Sequence, residues 1–312
     1  MHRTALRLLF LTLTLVLLSS LALADTASYA GVSYDLESER IDLGSTVVKD
    51  FDAFYDFLRK FPGLKQVDMY ATDMHKPRLE EMSSLFPDIE FGWTIHFGEH
   101  TVRTDWTAFS TLHGEEGPYH GTDELCVLKY CKKLKALDFG HNSATDISFL
   151  SGLTELRVLI MADNKITDIS PLANLKKLEY LELFTNRVTD ITPLSGLTHL
   201  MDLNLCLNNI EDVSPLFTMP GLKRLWSAGM MWRPSRKSLD EATMARLREL
   251  CPEIEINNTA GNPTAGTWRK HPHYSVIYHM FRAHIYEPFD DSYPDEDLGE
   301  TPAPIRILTR YY

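Results

Sequence analysis

Histidine is the residue type that most readily suggests metal chemistry in this chain, and its densest group lies near the C-terminus. His271, Pro272 and His273 are consecutive, and His279 and His284 follow them. A zinc site needs ligands that converge on one point, whereas the rings of an extended His-Pro-His pair are directed apart. We therefore predict solvated or helix-capping histidines, no metal site and no bound cofactor.

Aspartate and serine also recur at positions that could suggest acid–base or nucleophilic catalysis. Their spacings are 22 residues or a multiple of it, at Asp146, Asp168, Asp190 and Asp212 and at Ser148, Ser170 and Ser214. A catalytic group is needed only once, and no G-x-S-x-G turn accompanies these serines. Polar side chains that recur before a buried aliphatic residue are typical of turn capping. The pattern favours a protein without enzymatic activity. A hydrolase built in the segment from Thr94 to Gly121 is a distant alternative.

Four cysteines would allow three fully paired disulfide connectivities. Cys131 and Cys251 occupy aliphatic positions that we expect to be buried, whereas Cys126 and Cys206 are expected to be more exposed. Because Cys126 and Cys131 are poorly placed for each other on a helix, we predict that all four thiols are unpaired.

A repeat of 22 residues between Leu134 and Leu225 must position the recurring aspartates and serines. Each unit contains an L-x-L pair, whose alternation predicts a short strand with one face buried. An asparagine then recurs without a slip, at Asn142, Asn164, Asn186 and Asn208. Its amide is predicted to join a buried hydrogen-bonding ladder. This is the leucine-rich repeat pattern. It predicts an α/β solenoid, a horseshoe with a parallel concave sheet and helical, 3₁₀ or extended convex segments.

The flanking sequence extends this solenoid over residues 25–256. The pattern lapses at residues 94–121, which we interpret as an insertion within one solenoid. Before the lapse, Asp50 is predicted to cap a helix. After the regular repeats, Ser238 and Glu241 are predicted to form a capping box ahead of another helix.

Residues 257–287 are predicted to form a C-terminal cap. Apolar positions between Trp268 and His284 recur at helical spacing, and we expect this helix to close the open end of the stack, because a terminal repeat has no neighbour. Residues 288–312 are acidic and are predicted to be mobile.

Residues 1–24 have the three-part layout of a secretory signal peptide, with basic Arg3 and Arg7, an apolar run and a small-x-small end. The alternative reading is a membrane anchor, for which the run is short. Cleavage would leave a chain that begins near Asp25, with a formal charge of about −14 once the two arginines are removed from the −12 of the whole sequence. Such a charge disfavours nucleic acid and acidic membranes as partners. We predict a secreted or surface-associated protein with no stable membrane insertion.

The regular block resembles the repeats of internalins and related bacterial surface proteins, down to the N-x-I-T-D-I-S-P-L phrase from Asn164 to Leu172. The flanking segments Thr101 to Thr111 and Gly266 to Tyr274 are similar to segments of exported leucine-rich repeat proteins of Gram-positive gut bacteria. The resemblance implies an exported binding solenoid without catalytic activity. Internalins typically add a wall-attachment motif after the solenoid, and none follows here, which puts wall attachment in doubt.

The repeat register identifies the side chains that would face solvent on the concave sheet. Aliphatic and aromatic residues there form a cluster with a charged rim, which is typical of a protein interface. The predicted partner-binding residues are Val158, Ile160, Tyr180, Glu182, Phe184, Asp202, Arg224 and Trp226. The competing interpretation is that a flanking loop, such as His113 to Gly121, or the C-terminal tail folds over them.

We therefore predict that the protein binds a protein or peptide partner through its concave face. The alternative is a glycan or cell-wall binding module, because aromatic side chains also stack on sugars. The sequence does not distinguish these ligands.

Overall fold

The computed structural model describes residues 25–112, 120–230, 238–259 and 268–288. The chain divides into two compact units, one comprising Met1–Asp73 and Arg78–Trp93 and the other Met74–Pro77 and Thr94–Tyr312. The predicted signal peptide, most of the loop from His113 to Gly121 and nearly all of the acidic tail lie outside the described residues. The predicted domain boundaries remain predictions.

The first unit opens with an antiparallel hairpin of β1 (Thr26–Tyr29) and β2 (Val32–Asp35). Strand β3 (Arg40–Asp42) pairs in parallel with β4 (Gln66–Met74). Between them lies helix α1 (Phe51–Leu58), which begins where Asp50 accepts a hydrogen bond from the Ala53 amide at 3.0 Å. This confirms the predicted cap. Helix α2 (Lys76–Leu85) follows β4 along the chain.

Strand β5 (Glu90–Phe97) leads into the second unit, where its end pairs antiparallel with β6 (His100–Arg103). A seven-stranded parallel sheet then runs in sequence order from β7 to β13. Its strands are β7 (Ala108–Ser110), β8 (Ala136–Asp138), β9 (Val158–Ile160), β10 (Tyr180–Glu182), β11 (Asp202–Asn204), β12 (Arg224–Trp226) and β13 (Glu255–Asn257). The predicted insertion thus contains a strand of the repeat sheet, β7, which the sequence analysis missed.

Short helical turns connect successive strands on the convex side. After helix α3 (Thr122–Leu125), 3₁₀ helices lie at Cys126–Tyr130, Ser148–Gly152, Ser170–Asn174, Thr192–Leu194 and Ser214–Thr218. The recurring aspartates cap these turns. Asp168 Oδ1, for example, accepts from the Ser170 amide at 2.7 Å. The predicted capping role is confirmed.

The recurring asparagines form the predicted buried ladder. Asn186 Nδ2 donates to the carbonyls of Met161 at 2.9 Å and Leu183 at 3.1 Å. Its Oδ1 accepts from the Ile166 amide at 3.1 Å. One side chain therefore satisfies main-chain groups of its own repeat and of the preceding one.

The residue before each asparagine is left-handed. His141, Asp163, Thr185 and Leu207 have φ values of 53°, 52°, 56° and 56°. Main-chain bonds hold this conformation, such as that from the Thr185 amide to the Cys206 carbonyl at 3.0 Å.

Two helices follow the regular repeats. Helix α4 (Glu241–Leu250) is capped by Asp240, whose side chain accepts from the Thr243 amide at 2.7 Å. The predicted cap at Ser238 was therefore wrong by two positions. Helix α5 (Pro272–Ala283) packs against β7 and β8. None of the helices in the described part of the chain has the length and apolar character needed to cross a bilayer.

Candidate binding surface

The predicted partner-binding residues are neighbours, as the repeat register required. Tyr180 of β10 is aligned with Val158 on one side and Asp202 on the other. In the next row, Glu182 is aligned with Ile160. Arg224 and Trp226 of β12 continue these two rows, and Phe184, just after β10, lies in a third row.

Solvent exposure is where the prediction was wrong. All eight side chains are buried, and none exceeds 4% exposure: Val158, Ile160, Tyr180, Glu182, Phe184, Asp202, Arg224 and Trp226. The physical reason is that α5 and the residues around it lie on the concave face. We call residues 268–286 the covering segment. The segment was predicted to close the end of the stack, but it packs across the inner face instead. Self-coverage was the competing interpretation, although it was assigned to other segments.

Apolar contacts join the covering segment to the concave sheet. Trp268 is fully buried, and its ring centroid lies 4.8 Å from that of Trp226 and 5.4 Å from that of Tyr180. The apolar side of α5 joins the same buried cluster through Val276, Ile277, Met280 and Phe281. Aromatic pairs at these distances stabilise a packed interface beyond the area that they bury.

Glu182 is the first of two buried acids that accept bonds across this interface. Its Oε1 accepts from Trp268 Nε1 at 2.8 Å and from the Tyr180 hydroxyl. Its Oε2 lies 3.8 Å from the guanidinium of Arg269, which is stacked over the Tyr274 ring at 5.1 Å. A fully buried carboxylate of the sheet is thus held by the indole N–H and the cation of the covering segment.

Asp202 is the second acid. Its Oδ2 lies 2.6 Å from His273 Nδ1, and its Oδ1 accepts from Arg224 Nε at 2.7 Å. Burial acts to raise the pKa of Asp202, but the hydrogen bonds from His273 and Arg224 outweigh burial and hold that pKa below its usual range. The Arg224 guanidinium also lies 4.5 Å from the Trp268 ring.

Asp138 lies on the same face but lacks such partners. Burial raises its pKa to about 6, and the nearby charge of Glu182 adds to the rise. Hydrogen bonds from the Gly140 amide at 2.9 Å and the Ser110 hydroxyl at 3.0 Å offset part of it.

The far end of the covering segment is fixed to β7 through the main chain. The amides of Thr107 and Ala108 donate to the His284 carbonyl at 3.2 and 3.3 Å. The His284 ring stacks on Trp106 with ring centroids 3.6 Å apart. The Tyr286 amide donates to Thr107 Oγ1 at 2.7 Å. The segment therefore spans the concave face and is held at both ends.

The histidines and cysteines are the residues that could have suggested a metal site or disulfides. His273 and His284 pack into the interface, whereas His279 is exposed. The described residues contain no group of three or more histidine, cysteine or acidic side chains placed to hold a metal. Cys131 and Cys251 are buried as predicted, but Cys206, expected to be more exposed, is buried as well.

The contacts of Trp268, Arg269 and His273 with the concave face were not predicted from the sequence. One signal was present: the concave face carries acids at positions 182 and 202, and the predicted C-terminal helix carries basic residues beside its apolar face. Opposite charges on two otherwise apolar surfaces could have paired them.

Residues 154–196 match the family model described as leucine-rich repeats, two copies. The protein is a leucine-rich repeat solenoid. The predicted fold class is confirmed by this match together with the parallel sheet. No curated protein matches the leucine-rich repeat chain in sequence.

Among solved structures, the chain is similar to an internalin, InlF, of Listeria monocytogenes, with 22% identity over 74% of this chain and 72% of that one and a TM-score of 0.41. Internalin C2 of the same species gives 22% identity over 77% and 83% and a TM-score of 0.34. A leucine-rich repeat protein of Leptospira interrogans gives 21% identity over 70% and 54% and a TM-score of 0.41.

Proposed function

We propose that this chain is an exported binding protein that recognises a protein or peptide partner through the concave face of its repeats. The observation that carries the proposal is that a polypeptide helix already packs on that face. The helix and Trp268, just before it, join the buried cluster that contains residues singled out by the repeat register. A surface that accommodates an apolar helix face beside an indole and a guanidinium has the chemistry of a helix-binding groove.

The same observation limits when a partner could bind. Tyr180, Phe184 and Trp226 are buried in one cluster with the covering segment, so they are available only when that segment has moved away. The proposed binding state is therefore a state of the chain with an uncovered sheet.

A displayed peptide library tests the proposed function. The chain from Asp25 onward is used to select peptides, and the affinity of each selected peptide is then measured by fluorescence anisotropy. We expect selected peptides to share aromatic and basic residues, because the concave face of the sheet carries acidic and aromatic side chains. Selection of no peptide would count against a peptide-binding function. Retained selection after Tyr180→Ala in a variant that remains folded would move the site off the concave face.

The glycan alternative enters as an arm of the same experiment. Binding of the chain to a glycan array and to purified peptidoglycan is measured in parallel. Binding to sugar with no selected peptide would favour the alternative over the proposed function.

Export is also a proposal, supported by the layout of residues 1–24. The full-length chain, expressed in a bacterial host, is expected in the periplasm or medium with an N-terminus near Asp25. Retention in the cytoplasm with Met1 intact would contradict it.

A further inference from the structure

Opposite charges meet at the interface between the concave sheet and the covering segment. The sheet contributes the buried carboxylates of Glu182 and Asp202, and the segment contributes Arg269 and His273. A segment without the Arg269 guanidinium and the His273 imidazole at these places would leave two buried acids with fewer partners, which is costly. The sheet therefore selects a segment that carries these two groups.

An indole is the central anchor of the same interface. Trp268 is fully buried, donates to Glu182 and packs on Trp226 and Tyr180. A buried tryptophan surrounded by weaker contacts is typical of the residue that dominates binding in a protein interface. The recognition chemistry is thus an indole together with neighbouring cations.

The repeat sheet is complete without the covering segment. Main-chain bonds such as Leu183 N to Asn204 O and Leu205 N to Trp226 O, both 2.9 Å, join each repeat to the next. The asparagine ladder joins them a second time, for example from Asn208 Nδ2 to the Leu183 carbonyl at 3.0 Å. Because these bonds lie within the repeats, departure of the segment would leave them intact.

The bonds that departure would break are of a different kind. They are side-chain ion pairs, ring contacts, the packing of the apolar side of α5 against the sheet and the few main-chain bonds at His284. Buried ion pairs give little net stability, because desolvation offsets their attraction. Elements held this way can open locally while the rest of the fold stays closed.

We propose that the concave face is a receptor for a partner segment that presents an indole followed by a guanidinium, an imidazole and an apolar helix face, and that the covering segment is its resident occupant in cis. The inference rests on the proposed function. The partner competes with residues 268–286 for Glu182, Asp202 and the aromatic residues of the concave face. Binding therefore requires release of the segment.

A peptide with the sequence of residues 268–287, labelled with fluorescein, is the probe. It is titrated against the full chain and against a Trp268→Ala, His273→Ala double variant, which weakens the segment in cis. We expect the double variant to bind the peptide at least tenfold more tightly than the unaltered chain. Equal affinity for the two chains would overturn the proposal.

Two altered peptides provide the matched control. A peptide with Trp268→Ala is expected to bind the double variant at least tenfold more weakly. A peptide with His279→Ala should bind unchanged, because His279 is exposed on the same helix. Loss of affinity with both peptides, or with neither, would contradict the recognition chemistry. Light scattering is run on the same samples. A dimer of the double variant would also overturn the proposal, since the occupant would then be a second copy.

Hydrogen exchange on the unaltered chain tests release even if the double variant does not fold. Amides of Ile277 to Phe281 are expected to exchange at least tenfold faster than those of Leu181 and Leu203 in the sheet. Exchange of all of them at one common rate would mean that the segment leaves only when the protein unfolds, and the proposal would fail.

These outcomes separate the inference from the proposed function. If the segment is released and the peptide binds, but the library yields no peptide, the proposed function fails and the occupancy in cis stands. If the library yields peptides and the segment never opens, the binding function stands at another surface.

Discussion

Two buried aspartates on the concave sheet have pKa values shifted in opposite directions, because only Asp202 has an arginine and a histidine as hydrogen-bond partners. Asp202 is held between His273 and Arg224, so its pKa is lowered. Asp138 has a main-chain amide and a hydroxyl as partners and faces Glu182, so its pKa rises to about 6. The charged form of Asp202 therefore stabilises the fold, whereas the charged form of Asp138 destabilises it.

Asp138→Asn is expected to stabilise the protein at pH 8. The folded pKa is about 6, against a usual value of 3.8, so the folded state holds more protons between these values and its stability falls as pH rises through that window. At roughly 1.4 kcal/mol per pKa unit, the full cost is at most about 3 kcal/mol. We expect the variant to gain about 1 to 2 kcal/mol in urea unfolding at pH 8 and less at pH 5. A gain that is equal at both pH values would contradict the assignment.

Asp202→Asn is expected to have the opposite effect. The charged form of Asp202 contributes stability that is present above its usual pKa and is lost as pH falls through its lowered pKa. Removing that charge leaves Arg224 buried with a weaker partner, at a cost of about 3 kcal/mol near pH 7. The same unfolding measurement checks it, and a neutral effect would show that the pair is not held as described.

The asparagine ladder shows how one residue type stabilises a whole element. Asn186→Ala removes one acceptor and two donated bonds, leaving the Ile166 amide and two carbonyls without this partner. We expect a loss of about 3 kcal/mol, since each buried group left unpaired costs about 1 to 3 kcal/mol. Asp190→Ala is the matched control in the same repeat, because it removes only an exposed turn cap, and it should cost about 1 kcal/mol or less. Equal losses would mean that the ladder contributes no more than a surface cap.

Secondary structure could be predicted from the sequence wherever the 22-residue repeat was present. Asn142 and Asn164 could be placed in a ladder because an unbroken repeat fixes strand, turn and return together. The left-handed backbone at Thr185 and Leu207 could not be predicted, because these residue types disfavour it and only main-chain bonds to the next repeat impose it. Strand β7 was missed because its spacing to β8 does not follow the repeat.

The covering segment decides which surface of the molecule faces solvent. The period identified which side chains share the concave face, but it carried no information about what covers them, because α5 lies outside the repeat. An apolar helix face predicts only that some surface will bury it. The pairing of Trp268 with Glu182 depends on contacts between residues 86 positions apart.

A chain that ends at residue 259 is expected to expose the aromatic residues of the concave face. Tyr180, Phe184 and Trp226 would lose the contacts that now bury them, which leaves a contiguous apolar patch. We expect increased binding of a hydrophobic dye and self-association in light scattering, with the strand signal in circular dichroism retained. A shortened chain that remains monomeric and binds no more dye than the full chain would show that another element covers the sheet.

The two ends of the covering segment each lie against a tryptophan. Trp268 is enclosed beside Trp226, and Trp106 stacks on His284 at the opposite end. The covering segment thus has an intrinsic optical reporter at each end, Trp268 within the segment and Trp106 just before β7, where His284 stacks on it. Loss of contact at Trp268 would shift the emission of this buried indole towards that of a hydrated indole. Loss of contact at Trp106 would remove the stacked imidazole of His284 from that indole. The chain has five tryptophans, so two variants are needed, one that retains only Trp268 and one that retains only Trp106, with the other four replaced by phenylalanine. Time-resolved emission of the two variants would record which end of the segment moves first.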